Sequence, residues 1–202
     1  APIGITPINM KLSSSGNLYV TGSGLQGFIE EFPVTAGVLG ESVAGSPFLT
    51  GNAPYGLAID AAGTFLYTGN NVDSTISEFA INADGSLTEL AGSPIGESFV
   101  GPVNLLFDNS GKYLYVANQS SSNIAAYSIG TDGTLTLLTS SPFGSAGRPL
   151  TMTSDPSGKY LFVGNQSTPV IQSFSVDSST GNLTSISSYS VPGTPTSIVI
   201  RP

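Results

Sequence analysis

The nine residues SGKYLYVAN, Ser110–Asn118, decide how the rest of the chain is read, because close copies of them return along its whole length. The copies are SGNLYVTG (Ser15–Gly22), AGTFLYTGN (Ala62–Asn70) and SGKYLFVGN (Ser157–Asn165), and Gly16, Gly63, Gly111 and Gly158 within them stand 47, 48 and 47 residues apart. A second ruler agrees: Pro7, Pro54, Pro102, Pro149 and Pro195 are spaced 47, 48, 47 and 46 apart. A short apolar run follows each proline. In the first four copies a Ser/Asp-rich turn closing on Gly then leads into the Tyr-rich segment, which is the pattern of strand, tight turn, strand. A third segment alternates over strand length, as in Ile76–Ile81, Ile124–Ile129 and Ile171–Val176. A glycine turn, with Asp84-Gly85 and Asp132-Gly133 as hairpin signals, opens a fourth strand. In the first three periods a linker through Gly45–Phe48, Gly92–Ile95 or Ser140–Phe143 carries the chain to the next proline.

Four short antiparallel strands in a period of this length predict the blades of an all-β propeller, since helical repeats need amphipathic runs of period 3.6 that are absent here. The blades fall at 7–53, 54–101, 102–148 and 149–194 of a single propeller region, with 195–202 as the closing strand of a further blade. A blade cannot bury both faces alone, so its apolar residues must pack against its neighbours. The final copy supplies a first strand without the other three. The expectation is therefore the C-terminal part of a longer ring, with the missing strands upstream of Ala1. The rival is an open arc whose bare edge a protein partner or a second copy completes.

Composition narrows the function classes. Five Lys/Arg against 13 Asp/Glu give a formal charge of −8, with no basic cluster. Nucleic acid, which rewards neutralised phosphates, is not an expected partner, and neither is an anionic membrane surface. The chain has no Cys, His or Trp, which removes disulfides, thiol chemistry and imidazole acid–base work, and neither a cofactor nor a metal is implied. No apolar run of about 18 residues is present, so no membrane-spanning helix is predicted. The wealth of Ser, Thr, Asn and Gly points to a secreted, periplasmic or cell-surface protein. The start at Ala1-Pro2-Ile3, without Met, is expected of a processed, trimmed or partial chain.

The segments Tyr19-Val20-Thr21-Gly22, Tyr67-Thr68-Gly69-Asn70, Tyr115-Val116-Ala117-Asn118 and Phe162-Val163-Gly164-Asn165, each with a proline and apolar run before and a Gly-x-Leu turn after, resemble the YVTN-repeat and lactonase-like β-propellers. The likeness extends over all 202 positions. It implies a seven-bladed ring, about three blades upstream of Ala1, and in the members similar to 6-phosphogluconolactonase a channel mouth bearing His, Arg and Glu. This chain has no His to set there.

Several residues stand out as candidate sites. Asn70, Asn118 and Asn165, followed by Asn71, Gln119 and Gln166, recur in the loop after the marker strand. With Arg148 and Asn104 they are the candidate ligand-binding set, because amide rows suit hydroxyl and carbonyl groups and arginine grips a carboxylate. The ordinary alternative is that these amides satisfy their own loops. Asp60, Asp108 and Asp155 also recur in register, with Ser13 in the first copy; each precedes a turn closing on Gly, where a short acid accepts local N–H bonds. Gly22–Gly27 satisfies G-x-G-x-x-G but runs into a strand where a dinucleotide loop needs a helix. Glu30 and Glu31, adjacent on a strand, face opposite sides and do not form a catalytic pair. Asn118, Asn165 and Asn182 open glycosylation sequons.

From these residues the expected function is an exported, non-catalytic propeller serving as a binding or assembly module. The alternatives are a lactone hydrolase, in which a carboxylate of raised pKa replaces histidine as base, and a structural subunit of an extracellular assembly.

Overall fold

A computed structural model describes residues 6–23, 26–96 and 98–200, and every helix or strand assigned among them is a β-strand. The chain divides into two compact units, Ala1–Glu97 and Ser98–Pro202, each holding two antiparallel sheets. In the first unit, β1 (Thr6–Leu12), β2 (Asn17–Ser23) and β3 (Gly27–Thr35) pair in order, and β3 carries two short outer pieces, β4 (Val38–Leu39) and β5 (Phe48–Leu49). The second sheet repeats this with β6 (Pro54–Ile59), β7 (Phe65–Asn70) and β8 (Thr75–Ile81), edged by β9 (Leu87–Glu89) and β10 (Ile95–Gly96). The second unit opens with β11 (Pro102–Phe107), β12 (Tyr113–Asn118) and β13 (Asn123–Ile129), edged by β14 (Leu135–Leu137) and β15 (Phe143–Gly144). It closes with β16 (Pro149–Ser154), β17 (Tyr160–Asn165), β18 (Val170–Val176) and an unbroken β19 (Leu183–Ser190). These are propeller blades, as the periodicity requires.

The fourth strand differs from its sequence expectation. In the first three blades it is interrupted, and the Ser-Pro linker returns to pair with the third strand through β5, β10 and β15. Proline brings no N–H to a ladder, and the serine before it supplies what the break removes. Ser46, Ser93 and Ser141 Oγ accept the N–H of Glu31 (3.1 Å), Glu78 (2.9 Å) and Ala126 (3.0 Å). The fourth blade lacks the motif and keeps an eight-residue strand, with a register shift between Ser173 and Phe174.

Within each unit the core lies between facing blades. Tyr19, Ile29, Leu57, Leu66, Phe79 and Leu87 form it in the first unit. Tyr115, Ile124, Met152, Leu161, Val163 and Phe174 are central to it in the second. Each such side chain contributes roughly 1.5–3 kcal/mol by burial. The marker tyrosine adds a latch: Tyr19 OH donates to Gly85 O in the next blade's hairpin (2.8 Å), and Tyr115 OH to Gly181 O (3.0 Å). The fourth copy carries Phe162 at this position and has no hydroxyl to offer. Pro195 stands against Gly164. The segment expected to be a closing strand carries no strand pairing over residues 195–200, and residues 201 and 202 lie outside the described residues.

Candidate functional site

The end of each sheet at which first strands begin is built the same way three times. Pro54, Pro102 and Pro149 pair with Asn70, Asn118 and Asn165, and each first strand bulges one residue later. The residue before each proline, Ala53, Gly101 or Arg148, has a positive φ of 54°, 79° or 49°. Its carbonyl accepts an N–H from Asn71 (2.8 Å), Gln119 (2.8 Å) or Gln166 (3.0 Å) respectively. A glycine takes this left-handed backbone freely, whereas a bulky side chain there is an outlier. Arg148 is nonetheless held in it from both sides, because its own N–H also donates to Ser122 Oγ (3.1 Å).

That backbone projects an exposed guanidinium over a pair of half-buried amides. Arg148 Nη2 donates to Gln119 Oε1 (3.3 Å), and Gln119 Nε2 donates to Gln166 Oε1 (3.1 Å). Three of the sequence candidates are thus brought together as one cation-and-amide chain in the second unit. The others are placed elsewhere. Asn70, Asn118 and Asn165 are fully buried. Asn70 Nδ2 donates to Thr75 Oγ1 (2.8 Å) and Ser77 Oγ (2.9 Å), Asn118 Nδ2 to Asn123 Oδ1 (3.2 Å), and Asn165 Oδ1 accepts from Ser145 Oγ. Asn104 joins the first strands of its unit, its Oδ1 accepting the Met152 N–H (3.2 Å).

The aspartates at the opposite end of the strands close turns. Asp60 Oδ1 accepts the N–H of Thr64 (2.6 Å) and Phe65 (2.8 Å), Asp108 Oδ1 that of Tyr113 (2.8 Å), and Asp155 Oδ1 that of Tyr160 (2.8 Å). Hydrogen bonds from Ser157, above all its hydroxyl, hold the Asp155 carboxyl below the usual carboxylate range. Of the G-x-G-x-x-G stretch, Gly24 and Leu25 lie outside the described residues; Ser23 and Gly27 on either side pair across an antiparallel hairpin. That is the blade-loop reading rather than a dinucleotide fingerprint.

Glu31 went unnoticed in the sequence beyond its pairing with Glu30. It is fully buried, and neither carboxylate oxygen has a hydrogen-bond partner among the described residues. Burial first, and the Asp84 charge second, push its carboxyl upward. Asn17 and Glu31 crowd Gly85, where a Cβ would lie 2.4 Å from Asn17 Nδ2 and 2.6 Å from Glu31 Oε1. Burial likewise pushes the neighbouring Tyr19 phenol up to about 12. The Glu31 carboxyl, though pushed upward, is fully buried and offers no face to an incoming molecule.

Comparison with known families gives a match to the lactonase, 7-bladed β-propeller model over residues 39–147 and 124–200. Comparison with curated proteins gives no match. Among solved structures, a candidate 6-phosphogluconolactonase of Bacteroides fragilis is 26% identical with a TM-score of 0.78, aligned over 95% of this chain and 56% of its own. A second, of Bacteroides uniformis, is 19% identical with a TM-score of 0.83, over 97% and 60%. The periplasmic gluconolactonase of Pseudomonas aeruginosa is 17% identical with a TM-score of 0.75, over 96% and 56%. The last two likenesses are of fold alone. The chain spans 56% to 60% of the length of these three structures.

Proposed function

The chain belongs to the lactonase family of seven-bladed β-propellers, and from that premise we propose that it acts in the hydrolysis of a sugar-derived lactone. The expectation of a non-catalytic binding or assembly module is thereby corrected, together with that of a structural subunit: the family match and the 26% identical candidate 6-phosphogluconolactonase both favour lactone chemistry. The family match is the observation that carries the proposal. The missing histidine had weighed against catalysis, but a water can be activated by a carboxylate as well.

The Arg148–Gln119–Gln166 chain is the proposed recognition cluster. Lactone opening turns a neutral ester into a carboxylate, through an intermediate whose carbonyl oxygen carries the new charge. The guanidinium can stabilise that oxygen, and afterwards hold the product carboxylate. Gln119 steers the guanidinium by accepting from it, and Gln166 fixes Gln119 in turn. The remaining amide groups can bind ring hydroxyls.

The test is hydrolysis of glucono-δ-lactone and of 6-phosphogluconolactone by the full chain, followed against the spontaneous rate. Turnover above background is expected, with Arg148→Ala lowering kcat/KM about 10- to 100-fold, as loss of a charge-assisted hydrogen bond does. Turnover untouched by that substitution would move the site elsewhere, and the absence of turnover on either lactone would refute the proposal.

A further inference from the structure

In the first unit a cavity of about 330 Å³ opens where the last piece of the first blade meets the face of the second. Thr50, Gly51 and Ser77 line its inner wall, Gln26 and Glu89 its polar rim, and Leu49 and Pro94 its apolar sides. The corresponding place in the second unit is plugged. Counting from Pro54 and Pro149, Thr50 and Gly51 match Ser145 and Ala146; along β8 and β18, Ser77 matches Gln172. There the Gln172 amide accepts the Ala146 N–H (2.9 Å) and donates to Ser185 Oγ (3.2 Å), while the Ser145 hydroxyl satisfies Asn165 Oδ1.

None of those three bonds recurs among the described residues of the first unit. Ser77 is too short to span the gap, and Thr50 Oγ1 donates to Gly51 O (2.9 Å). Asn70 Oδ1, the match of Asn165 Oδ1, is left buried without a partner among the described residues. The Asn70 side chain lies directly beneath Gly51, where a Cβ would meet its Cγ at 2.7 Å, and its Nδ2 donates to Ser77 Oγ (2.9 Å). An orphaned buried acceptor is costly, and the asparagine that carries it lies behind the Gly51 and Ser77 wall of the cavity.

We propose that this cavity is a binding site for a neutral polyhydroxylated molecule of monosaccharide size. Its volume lies at the lower end of the range for small-ligand pockets. Ser77, fully buried and accepting from Asn70 Nδ2, forms the floor of the cavity. The Glu89 carboxylate and Gln26 amide offer acceptors for ligand hydroxyls, and Gln26 adds a donor. Leu49, 60% exposed, and Pro94 form a surface suited to the C–H face of a sugar ring. No Lys or Arg lines the cavity, so Glu89 discriminates against a sugar acid. That preference is the reverse of the one expected at Arg148, and the two sites are separable by charge.

The test is an NMR titration of the full chain with D-glucose and, separately, D-gluconate, each to about 100 mM, enough to saturate a site of ~10 mM affinity. Glucose is expected to give saturable shifts at the Gly51 and Ser77 amides, with gluconate at least tenfold weaker. Ser77→Gln, which imports the plug of the second unit, is expected to weaken glucose binding at least tenfold without lowering the melting temperature. Arg148→Ala is expected to leave it unchanged, so the outcome is independent of lactone turnover. Should Ser77→Gln fail to fold, the exposed substitution Glu89→Gln serves: it is expected to weaken glucose and to narrow the gap to gluconate. Unsaturable glucose shifts, which would mean a cavity for water only, overturn the proposal, as does full glucose binding by a folded Ser77→Gln or by Glu89→Gln.

Discussion

Replacing Arg148 by glycine is expected to stabilise the second unit and to impair lactone turnover at once. The φ of 49° puts Arg148 in the left-handed region, which costs a residue with a Cβ about 1–2 kcal/mol. Glycine removes that cost but returns about 0.5–1 kcal/mol through the greater freedom of the unfolded chain. Both Arg148→Gly and Arg148→Ala lose the exposed hydrogen bond to Gln119, so their difference isolates the backbone. The glycine variant should therefore exceed the alanine variant by ~0.5–1 kcal/mol, or about 1–4 °C for a chain of this size. Urea unfolding curves with a common slope measure this directly. Ala53, with a φ of 54° at the matching position of the first unit, is the control. Ala53→Gly should give a similar gain and leave turnover alone. If Arg148→Gly is no more stable than Arg148→Ala, the backbone there is not strained. If it is more stable and equally active, the strain does not serve the site, and the link between the outlier and function is refuted.

Three further outcomes follow from the buried polar groups. Tyr115→Phe removes the latch to Gly181 O and strands a carbonyl in the interior, which should cost about 1–3 kcal/mol by denaturant unfolding. The second concerns alkali: burial pushes the Tyr19 phenol up to about 12 in the folded chain, above the roughly 10 of an exposed tyrosine, so the folded state holds more protons in that window. Stability should fall as pH rises from 10 to about 12, and Tyr19→Phe should flatten the fall. Third, the raised Glu31 carboxyl gives a contribution present at acid pH and lost as pH rises through its folded value. Glu31→Gln should accordingly stabilise the chain at pH 7 by about 1–3 kcal/mol, the cost of an unsatisfied buried group, and gain little at pH 4; an equal gain at both would locate the effect outside ionisation.

What the sequence made legible was whatever repeats. The prolines and the Tyr-Val segments mark first and second strands because a ladder imposes the same backbone demands in every blade, and the aspartates in register close the same turn each time. The candidate amides were legible as a row but not as two populations. Asn118 and Gln119 are neighbours, yet one is fully buried and the other half-buried in reach of Arg148. Asn118 is the last residue of β12, which is buried along its whole length, and Gln119 is the first residue beyond it, so the row could have been divided by asking which amide still pairs with the proline opposite.

The features that set one blade apart from another were not legible, and the reason is geometric. Tyr19 and Tyr115 each reach a glycine 66 residues on, a distance that means nothing until neighbouring blades are stacked. The cavity beside Asn70 arises from two small residues, Gly51 and Ser77, lying where Ala146 and Gln172 lie in the second unit. Neither substitution violates a strand pattern, so neither disturbs the repeat. The partner lost at Asn70 Oδ1 and kept at Asn165 Oδ1 marks the place left open in one unit and closed at its match in the other. In a fold built from near-copies, the conserved backbone positions are what the repeat displays, while specificity lies in the departures of single side chains from their counterparts. Arg148 against Ala53, which share a left-handed backbone and differ only in what it projects, and Ser77 against Gln172, beside an acceptor orphaned in one unit and satisfied in the other, are two such departures.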